Sequence, residues 1–252
     1  MPESMTRAAI LFAVAFVANG FAAMAGGGVG LIQLPALLLL GLAFPQALAT
    51  HKVASVALGL GAAARYARRV TFERTLLVIM LTAGLPGALI GALAMLVVPG
   101  QAARWVLGFL TIALGFYSLS RRDMGQRHEP RHRDPAGLAI GAAVLFLIGL
   151  LNGSITAGTG LFSTLWLVRW FGLDYKRAVT YTLVFVGIGW NATGAAALGA
   201  FGAVAWPWLP PLLAGALAGS YAGAHVALGR GNKWIKTAFE IVTIAVGARL
   251  LF

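Results

Sequence analysis

The sequence has no cysteine and very few acidic side chains. Its 252 residues include only seven Asp and Glu, of which Glu240 alone lies well inside an apolar segment. The absence of cysteine excludes disulfides, thiolate catalysis and cysteine-based metal sites. Cation transporters and proton relays usually place carboxylates inside the membrane. The shortage of carboxylates therefore favours an anion over a cation as the substrate of any membrane pathway.

Charged residues of both signs are scarce, whereas apolar residues dominate. Charged residues make up 10% of the chain and hydrophobic residues 60%, with a mean hydropathy of +0.85. Soluble domains contain roughly a quarter charged residues, so lipid must solvate most of this chain. The apolar segments lack the alternating pattern of a membrane β-barrel, and backbone groups in lipid need partners within their own segment. We therefore predict an all-α, polytopic membrane protein.

The net charge of +12 is carried by short loops. Membrane proteins concentrate Lys and Arg in cytoplasmic loops, where these residues set the orientation of the helices. A nucleic-acid-binding protein would instead present a continuous basic face. We therefore expect the lipid bilayer, and not nucleic acid, to be a partner of this chain.

The two halves of the chain carry similar patterns around a glycine-rich break. Asn19-Gly20 recurs as Asn152-Gly153, and residues 28–31 (GVGL) recur as residues 158–161 (GTGL). Because the N-terminal apolar run has this counterpart deep in the chain, we interpret it as part of the fold and not as a signal peptide. A duplicated apolar pattern with interruptions at matching places is typical of secondary transporters.

The apolar segments divide the chain into a first membrane repeat, residues 1–120, and a second, residues 136–252, joined by a basic connector, residues 121–135. Each repeat is predicted to contain about five helical segments, at 8–25, 29–43, 46–64, 75–98 and 102–119, and at 136–156, 159–171, 177–198, 203–228 and 232–251. A helix of about 14 residues extends only about 21 Å, short of the ~30 Å hydrocarbon core, so the second segment of each half is too short to span it. The first two segments of each half therefore form either a broken helix that crosses once or a re-entrant hairpin with a glycine-rich tip.

The distribution of Lys and Arg favours the hairpin. With broken helices, these residues divide almost evenly between the two sides of the membrane. With hairpins and an outer N-terminus, every Lys and Arg falls inside except Arg7, Lys52, Arg104 and Arg249. Because Lys and Arg prefer the cytoplasmic side, we predict a cytoplasmic connector and two outer termini, in an inner (plasma) membrane.

Matching loops of the two halves have opposite charge. Residues 65–74 carry four basic groups, whereas the equivalent loop near 199–205 carries none. Opposite charge in equivalent loops is what inverted repeats require, since one copy is upside down. We therefore predict two inverted repeats, related by a pseudo-two-fold axis in the membrane plane, with both glycine-rich tips near the midplane.

The glycine-rich tips are the predicted substrate site. The second helix of each hairpin starts at its tip, so free backbone N–H groups and the positive end of the helix dipole lie there. Glycine lets an anion approach those N–H groups closely. The alternative is that the glycines only permit tight helix crossings. The candidate residues in the tips are Gly26, Gly27, Gly28 and Gly30 in the first half and Gly158, Thr159 and Gly160 in the second.

The third segment of each half adds polar candidates. In the first half these are Thr50, His51 and Lys52, and the other candidates are Gln33, Thr180, Tyr181 and Asn191. Lys52 either snorkels to the outer interface or attracts an anion within the pathway. His51 is either a hydrogen-bonded core residue or a proton carrier, which makes protons a candidate coupling ion. Gln33, Tyr181 and Asn191 either complete the site or bond a neighbouring helix.

Glu240 has a simpler interpretation, an ion pair with Lys236 one helical turn earlier. No Walker loop, zinc-binding spacing, HExxH or GxSxG motif occurs in the chain. We therefore predict that the protein is not an enzyme and uses no cofactor or metal.

The ordered set of glycines in the first half resembles the TauE/SafE sulfite exporter family. The resemblance rests on Asn19-Gly20, residues 25–30 (AGGGVG), Pro35, Gly41 and residues 47–50, with a weaker second copy, and it covers both apolar halves. It implies transport of sulfite, sulfonates or related organosulfur anions across a prokaryotic inner membrane. Family members usually follow the residue equivalent to Thr50 with a small hydroxyl residue, whereas this chain has His51 and Lys52.

These observations predict a secondary transporter that moves a small sulfur-containing anion by alternating access. The alternatives are a passive anion channel and a membrane scaffold subunit without transport activity. Saturable, counterflow-capable transport distinguishes the first from both alternatives.

Overall fold

The computed structural model describes residues 2–66, 70–94, 109, 112–113, 115–120, 123–156 and 158–251. This part of the chain is helical, without strands, and six of its helical stretches are long and apolar enough to cross a membrane. The helices are α1 (Pro2–Ala25), α2 (Gln33–Leu39), α3 (Phe44–Tyr66), α4 (Arg74–Thr82), α5 (Gly84–Ala94), α6 (Pro135–Ser154), α7 (Thr159–Arg169), α8 (Tyr175–Tyr181), α9 (Asn191–Gly199), α10 (Leu209–Arg230) and α11 (Asn232–Leu251). A π-helical segment, Thr182–Trp190, joins α8 to α9, and 3₁₀ turns occupy Val29–Leu31 and Trp206–Trp208.

The prediction of an all-helical membrane protein is confirmed, and the helices follow the predicted segments with two internal differences. The segment at 75–98 is interrupted at Ala83, between α4 and α5, close to Pro86, which lacks the N–H that a continuous helix needs. The segment at 177–198 contains the π-helical stretch in its centre. Most of the segment predicted at 102–119 lies outside the described residues.

The first two helical segments of each half fold back as a hairpin. In the second half, Trp170 Nε1 at the end of α7 donates to the carbonyl of Gly137 near the start of α6 (3.0 Å). In the first half, Asn19 Nδ2 donates to Gln33 Oε1 (2.9 Å), and Leu37 shares a buried cluster with Leu11. The chain therefore returns to the end of the bundle from which each pair started, as in the re-entrant alternative and not the single crossing.

The first helix of each half packs against the fourth segment of the other half. A Cβ on Gly215, Gly219 or Gly223 of α10 would overlap backbone atoms of α1. Gly87 and Gly91 of α5 approach the backbone of α6 in the same way. Both pairs run parallel and are held at close range by glycine, as helix association in lipid favours. This reciprocal packing supports the predicted pseudo-two-fold relation of the repeats, while their inversion across the membrane stays a prediction.

Basic residues gather at one end of the bundle. The start of α4 meets the connector there, where Arg133 forms an ion pair with Glu73 (2.9 Å). The ends of α3 and α10 meet at the same end, where Arg65 hydrogen-bonds to His225. Arg7 lies at the opposite end, over the ring of Trp208. We refer to these as the basic end and the opposite end; which of them faces the cytoplasm remains a prediction.

Candidate functional site

The first tip has a backbone that only glycine adopts readily. Gly26, Gly27 and Gly28 have φ values of 82°, 152° and 95°. All three lie where a Cβ would be strained, and they turn the chain sharply between α1 and the 3₁₀ turn. The turn leaves the N–H groups of Gly28, Val29 and Gly30 without a hydrogen bond to described residues. The first tip therefore presents backbone donors.

The second tip is built differently. Gly158 is the N-cap of α7 with φ 76°, and Thr156 has φ 61°, a strained value for a β-branched residue. Asn152 Nδ2 donates to Thr159 Oγ1 (3.0 Å), which in turn donates to the carbonyl of Thr156 (2.9 Å). Side-chain hydrogen bonds therefore hold this tip in shape.

The two tips touch each other. A Cβ on Gly27 would lie 2.6 Å from the carbonyl carbon of Gly160 and from the nitrogen of Leu161. Thr164 Oγ1 on α7 donates to the carbonyl of Gly26 (3.0 Å). The expectation that the two breaks of the repeat meet is therefore matched by the structure.

A small cavity of about 30 Å³ lies where the tips meet. Three further elements contribute to its wall: α3, the end of α6, and the π-helical segment with the start of α9. Its lining residues are Gly26, Gly27, Gly28, Val29, Gly30, His51, Leu58, Asn152, Thr156, Thr159, Gly160, Thr182, Leu183, Val186, Gly187 and Asn191. Roughly 10–15 Å³ of such space holds one water molecule, so the cavity is large enough for a group of about that size.

Eight of the fourteen predicted site residues line this cavity. They are Gly26, Gly27, Gly28, Gly30, His51, Thr159, Gly160 and Asn191. The others do not line it: Gln33, Thr50, Lys52, Gly158, Thr180 and Tyr181.

The predicted residues that do not line the cavity have structural partners. Thr50 Oγ1 accepts a hydrogen bond from the N–H of Ala205 (3.0 Å), at the opposite end. Thr180 Oγ1 donates to the carbonyl of Lys176 (2.7 Å). The Tyr181 hydroxyl hydrogen-bonds to the N–H of Glu73, near the basic end. Thr180 therefore bonds within its own helix, and Tyr181 bonds a neighbouring element, the alternative that the sequence left open for it.

Lys52 is fully buried and does not snorkel. Its Nζ donates to the backbone carbonyl of Asn152 (2.6 Å), near the end of α6. This carbonyl is free because the N–H of Thr156 bonds to Leu151 instead. Gly194 leaves room for the side chain, since a Cβ there would lie 2.8 Å from Lys52 Cδ. Lys52 therefore does not line the cavity itself but hydrogen-bonds to Asn152, which does.

No described carboxylate pairs with Lys52. The ion pairs of the described residues lie elsewhere, and the buried Glu240 pairs with Lys236, as predicted. A buried, unpaired positive charge is costly unless a counter-ion binds near it. The electrostatics beside the cavity therefore favour an anion.

Asn152 is the main site residue that the predicted set lacks. It lines the cavity, hydrogen-bonds to Thr159 and accepts from Lys52. The signal was present in the repeat, since Asn19 is its counterpart and bonds Gln33 across the first hairpin. Thr182 also lines the cavity, although the predicted set of site residues stops at its neighbour Tyr181.

A family model for the sulfite exporter TauE/SafE matches residues 11–250. The chain belongs to the TauE/SafE family. With six helical stretches of membrane-spanning length, this membership identifies it as a multi-pass membrane protein of a transporter family. The TauE/SafE match spans both hairpins and the cavity between them.

Similar proteins cover nearly the whole chain. A "Probable membrane transporter protein ORF9" from Sinorhizobium is 33% identical over 245 residues, which is 96% of this chain and 92% of the relative. The "Probable membrane transporter protein YfcA" of Escherichia coli K12 is 28% identical and covers 96% of this chain and 89% of its own length. A "Probable membrane transporter protein" of Haemophilus influenzae is 29% identical, at 97% and 94% coverage. No solved structure matches this TauE/SafE chain significantly.

Proposed function

We propose that this protein is a secondary transporter that binds a small sulfur oxyanion, such as sulfite or a sulfonate, between its two hairpin tips. The observation that carries the proposal is the cavity where the tips meet, because it combines free backbone donors with an adjacent unpaired lysine. The family name and the names of the relatives support transport as the activity.

The backbone of the first tip supplies the donors for the oxyanion. The N–H groups of Gly28, Val29 and Gly30 have no other described partner, and backbone N–H groups at such turns form concave anion sites. Lys52, which hydrogen-bonds to the backbone of Asn152, contributes a positive charge next to the cavity. Inside a low-dielectric bundle this charge acts strongly on an anion in the cavity.

The arrangement supports alternating access over a passive channel. The cavity is small, and the tips contact each other through Gly27 and Gly160. An open anion channel needs a continuous water-filled path, whereas a transporter closes around its substrate at the interface of two repeats. Movement of one hairpin relative to the other would open the cavity towards one side.

The proposed orientation places the connector, residues 121–135, in the cytoplasm and both termini outside the inner membrane. The absence of native cysteine allows a direct test with single substitutions. A membrane-impermeant maleimide applied to intact cells should label F201C at the opposite end and leave D123C in the connector unlabelled until the cells are broken. The reverse pattern would invert the proposed topology.

The decisive experiment for function is uptake of radiolabelled sulfite into proteoliposomes that contain the purified protein. We expect saturable uptake that accelerates when the vesicles are preloaded with unlabelled sulfite. Flux equal to that of protein-free liposomes, for sulfite and for several sulfonates, would refute the proposed function. Large single-channel currents without counterflow would instead favour a channel.

A further inference from the structure

Three side chains around the cavity have a polar atom without a hydrogen-bond partner among the described residues. They are His51, through Nδ1, and Asn152 and Asn191, through Oδ1, and all three residues are buried. Such atoms are rare in folded proteins, because a buried polar atom without a partner is costly. The direction of the surrounding hydrogen bonds decides whether each one donates or accepts.

The hydrogen bonds of Ser55 fix the tautomer of His51. The Ser55 hydroxyl has one hydrogen, which it donates to the carbonyl of His51 (2.9 Å). Ser55 Oγ also lies 3.3 Å from His51 Nε2, so this contact requires Nε2 to carry the proton and to donate. In the neutral ring, Nδ1 is then a bare acceptor.

The two amides are fixed in the same way. Thr159 donates its hydroxyl hydrogen to the carbonyl of Thr156, so it accepts from the nitrogen of Asn152. Asn191 Nδ2 donates to the carbonyl of Gly187 (3.4 Å). A carbonyl only accepts, so the orientation of this amide is set as well. Both amides leave an oxygen acceptor unpartnered at the cavity.

The cavity therefore combines two opposite sets of groups. The first tip offers unpaired N–H donors, and His51, Asn152 and Asn191 offer unpaired acceptors. A ligand with acceptors alone would satisfy the first set and leave the second buried without partners.

We propose that the site selects a small oxyanion that also carries a hydrogen-bond donor, an O–H or N–H group, over one without a donor. This inference rests on the proposed function and narrows its substrate class. The oxyanion oxygens bind the N–H groups of the first tip, and the donor binds the acceptors from α3, α6 and α9. The protonated monoanion of sulfite fits this class, whereas its fully deprotonated dianion does not.

The selectivity does not require any group of the site to titrate. The titratable groups among the cavity-lining residues and their direct polar partners are His51 itself and Lys52, both on α3. The tips, the end of α6, the π-helical segment and α9 face His51 with amides, hydroxyls, backbone and apolar side chains. A ligand donor bound to Nδ1 keeps the ring neutral, which suits its position beside Lys52.

The test compares two ions that differ in little but the donor. Sulfamate and methanesulfonate are both tetrahedral monoanions at neutral pH, and sulfamate replaces the methyl group with an N–H donor group. We expect sulfamate to compete with radiolabelled sulfite uptake about tenfold more strongly than methanesulfonate, which corresponds to about 1.4 kcal/mol, because a buried acceptor left unpaired is costly. The same protein, in the same vesicles, is used for both ions.

Two variants connect the preference to the proposed groups. S55A frees His51 to carry its proton on Nδ1, and N191L removes one acceptor, so each should reduce the tenfold preference to about threefold and weaken sulfite uptake without abolishing it. S163A is the matched control, a buried serine on α7 whose hydroxyl has no partner in the described part of the chain and does not line the cavity. It should retain the full preference.

The outcomes separate this inference from the proposed function. If methanesulfonate competes as strongly as sulfamate while sulfite is transported, the donor requirement is wrong and the transporter stands. If S55A and N191L keep the full preference, the named acceptors are not the cause and the proposal is overturned. If no oxyanion competes and no sulfite is transported, both proposals fail.

Discussion

The two hairpins are similar in sequence pattern but differ in how their tips are built. The first tip uses three consecutive glycines in left-handed backbone conformations and leaves the N–H groups of residues 28–30 without a partner among the described residues. The second has a single glycine N-cap and is held by the hydrogen bonds of Asn152 and Thr159. A repeated sequence has thus produced one tip that binds with its backbone and one that binds with its side chains.

The third segments of the two halves, which also line the cavity, differ in their helix type. In the first half α3 is a regular helix, and in the second half the equivalent span contains nine π-helical residues beside the cavity. π-Helical turns are rare and occur frequently at functional sites. Helix α3 crosses this segment at Gly59, which lies close to Gly187. The two halves therefore share a frame, and their differences concentrate around the cavity.

The largest effect is expected where the two tips touch. G27V adds a side chain at φ 152°, against the backbone of Gly160 and Leu161. No side-chain rearrangement can relieve a clash with backbone, so we expect sulfite uptake to be lost entirely. The control is G229V, because a Cβ at Gly229 meets nothing within 4 Å. Normal uptake by G27V would show that contact between the tips is not needed for transport.

A slightly smaller effect is expected where α3 crosses the π-helical segment. A Cβ on Gly59 would lie 2.8 Å from the nitrogen of Ile188 and from the carbonyl oxygen of Leu183. G59A should push α3 away from the π-helical segment and reduce uptake at least tenfold, with a lower melting temperature in detergent.

The matched control for this crossing is G189A in the π-helical segment. A Cβ there would make an ordinary contact, 3.5 Å from Leu85 Cδ2. Replacing Gly by Ala at such a position typically stabilises a protein by about 0.4–1 kcal/mol. Equal loss of uptake in both variants would mean that this region tolerates no methyl group, whatever the packing.

Removal of the buried charge separates function from stability. K52M keeps the length of the side chain and deletes the unpaired positive charge that bonds to Asn152. We expect the Michaelis constant for sulfite to rise about tenfold, which corresponds to about 1.4 kcal/mol. The melting temperature without ligand should not fall, because an unpaired buried charge is itself destabilising. A lower melting temperature with unchanged uptake would make Lys52 only a cap for α6.

The sequence predicted the parts of this site that depend on composition and order. Glycine runs, a duplicated pattern and the placement of Lys and Arg were sufficient for the hairpins and for the contact between their tips. Side-chain direction was harder to predict. Thr50, Thr180 and Tyr181 lie beside the right part of the chain but bond elsewhere, because neighbouring residues on a helix face different directions.

The π-helical segment had no sequence signal. Its hydrogen bonds join residue i to i+5, so it shifts the faces of the residues that follow, and the first of these, Asn191, lines the same cavity as Thr182. The fixed polarity of Asn152 depends on which atom donates to Thr159, which no sequence pattern records. The polar chemistry of the site therefore comes from three-dimensional contacts between elements that are distant in the chain.

The smallest effect on transport is expected for Asn19 and Asn152, the two equivalent asparagines of the repeat. Asn19 and Asn152 occupy equivalent positions, and each bonds the second segment of its own hairpin. Only Asn152 lines the cavity, where its Oδ1 has no partner among the described residues; Lys52 bonds its backbone carbonyl, which N152A keeps. N19A should lower the melting temperature, by the loss of a buried hydrogen bond worth about 1 kcal/mol, and leave the Michaelis constant for sulfite unchanged. N152A should cause a similar loss of stability and also raise that constant about threefold. Equal kinetic effects in both variants would show that the two tips serve the substrate alike, and the asymmetry of their construction would then have no functional meaning.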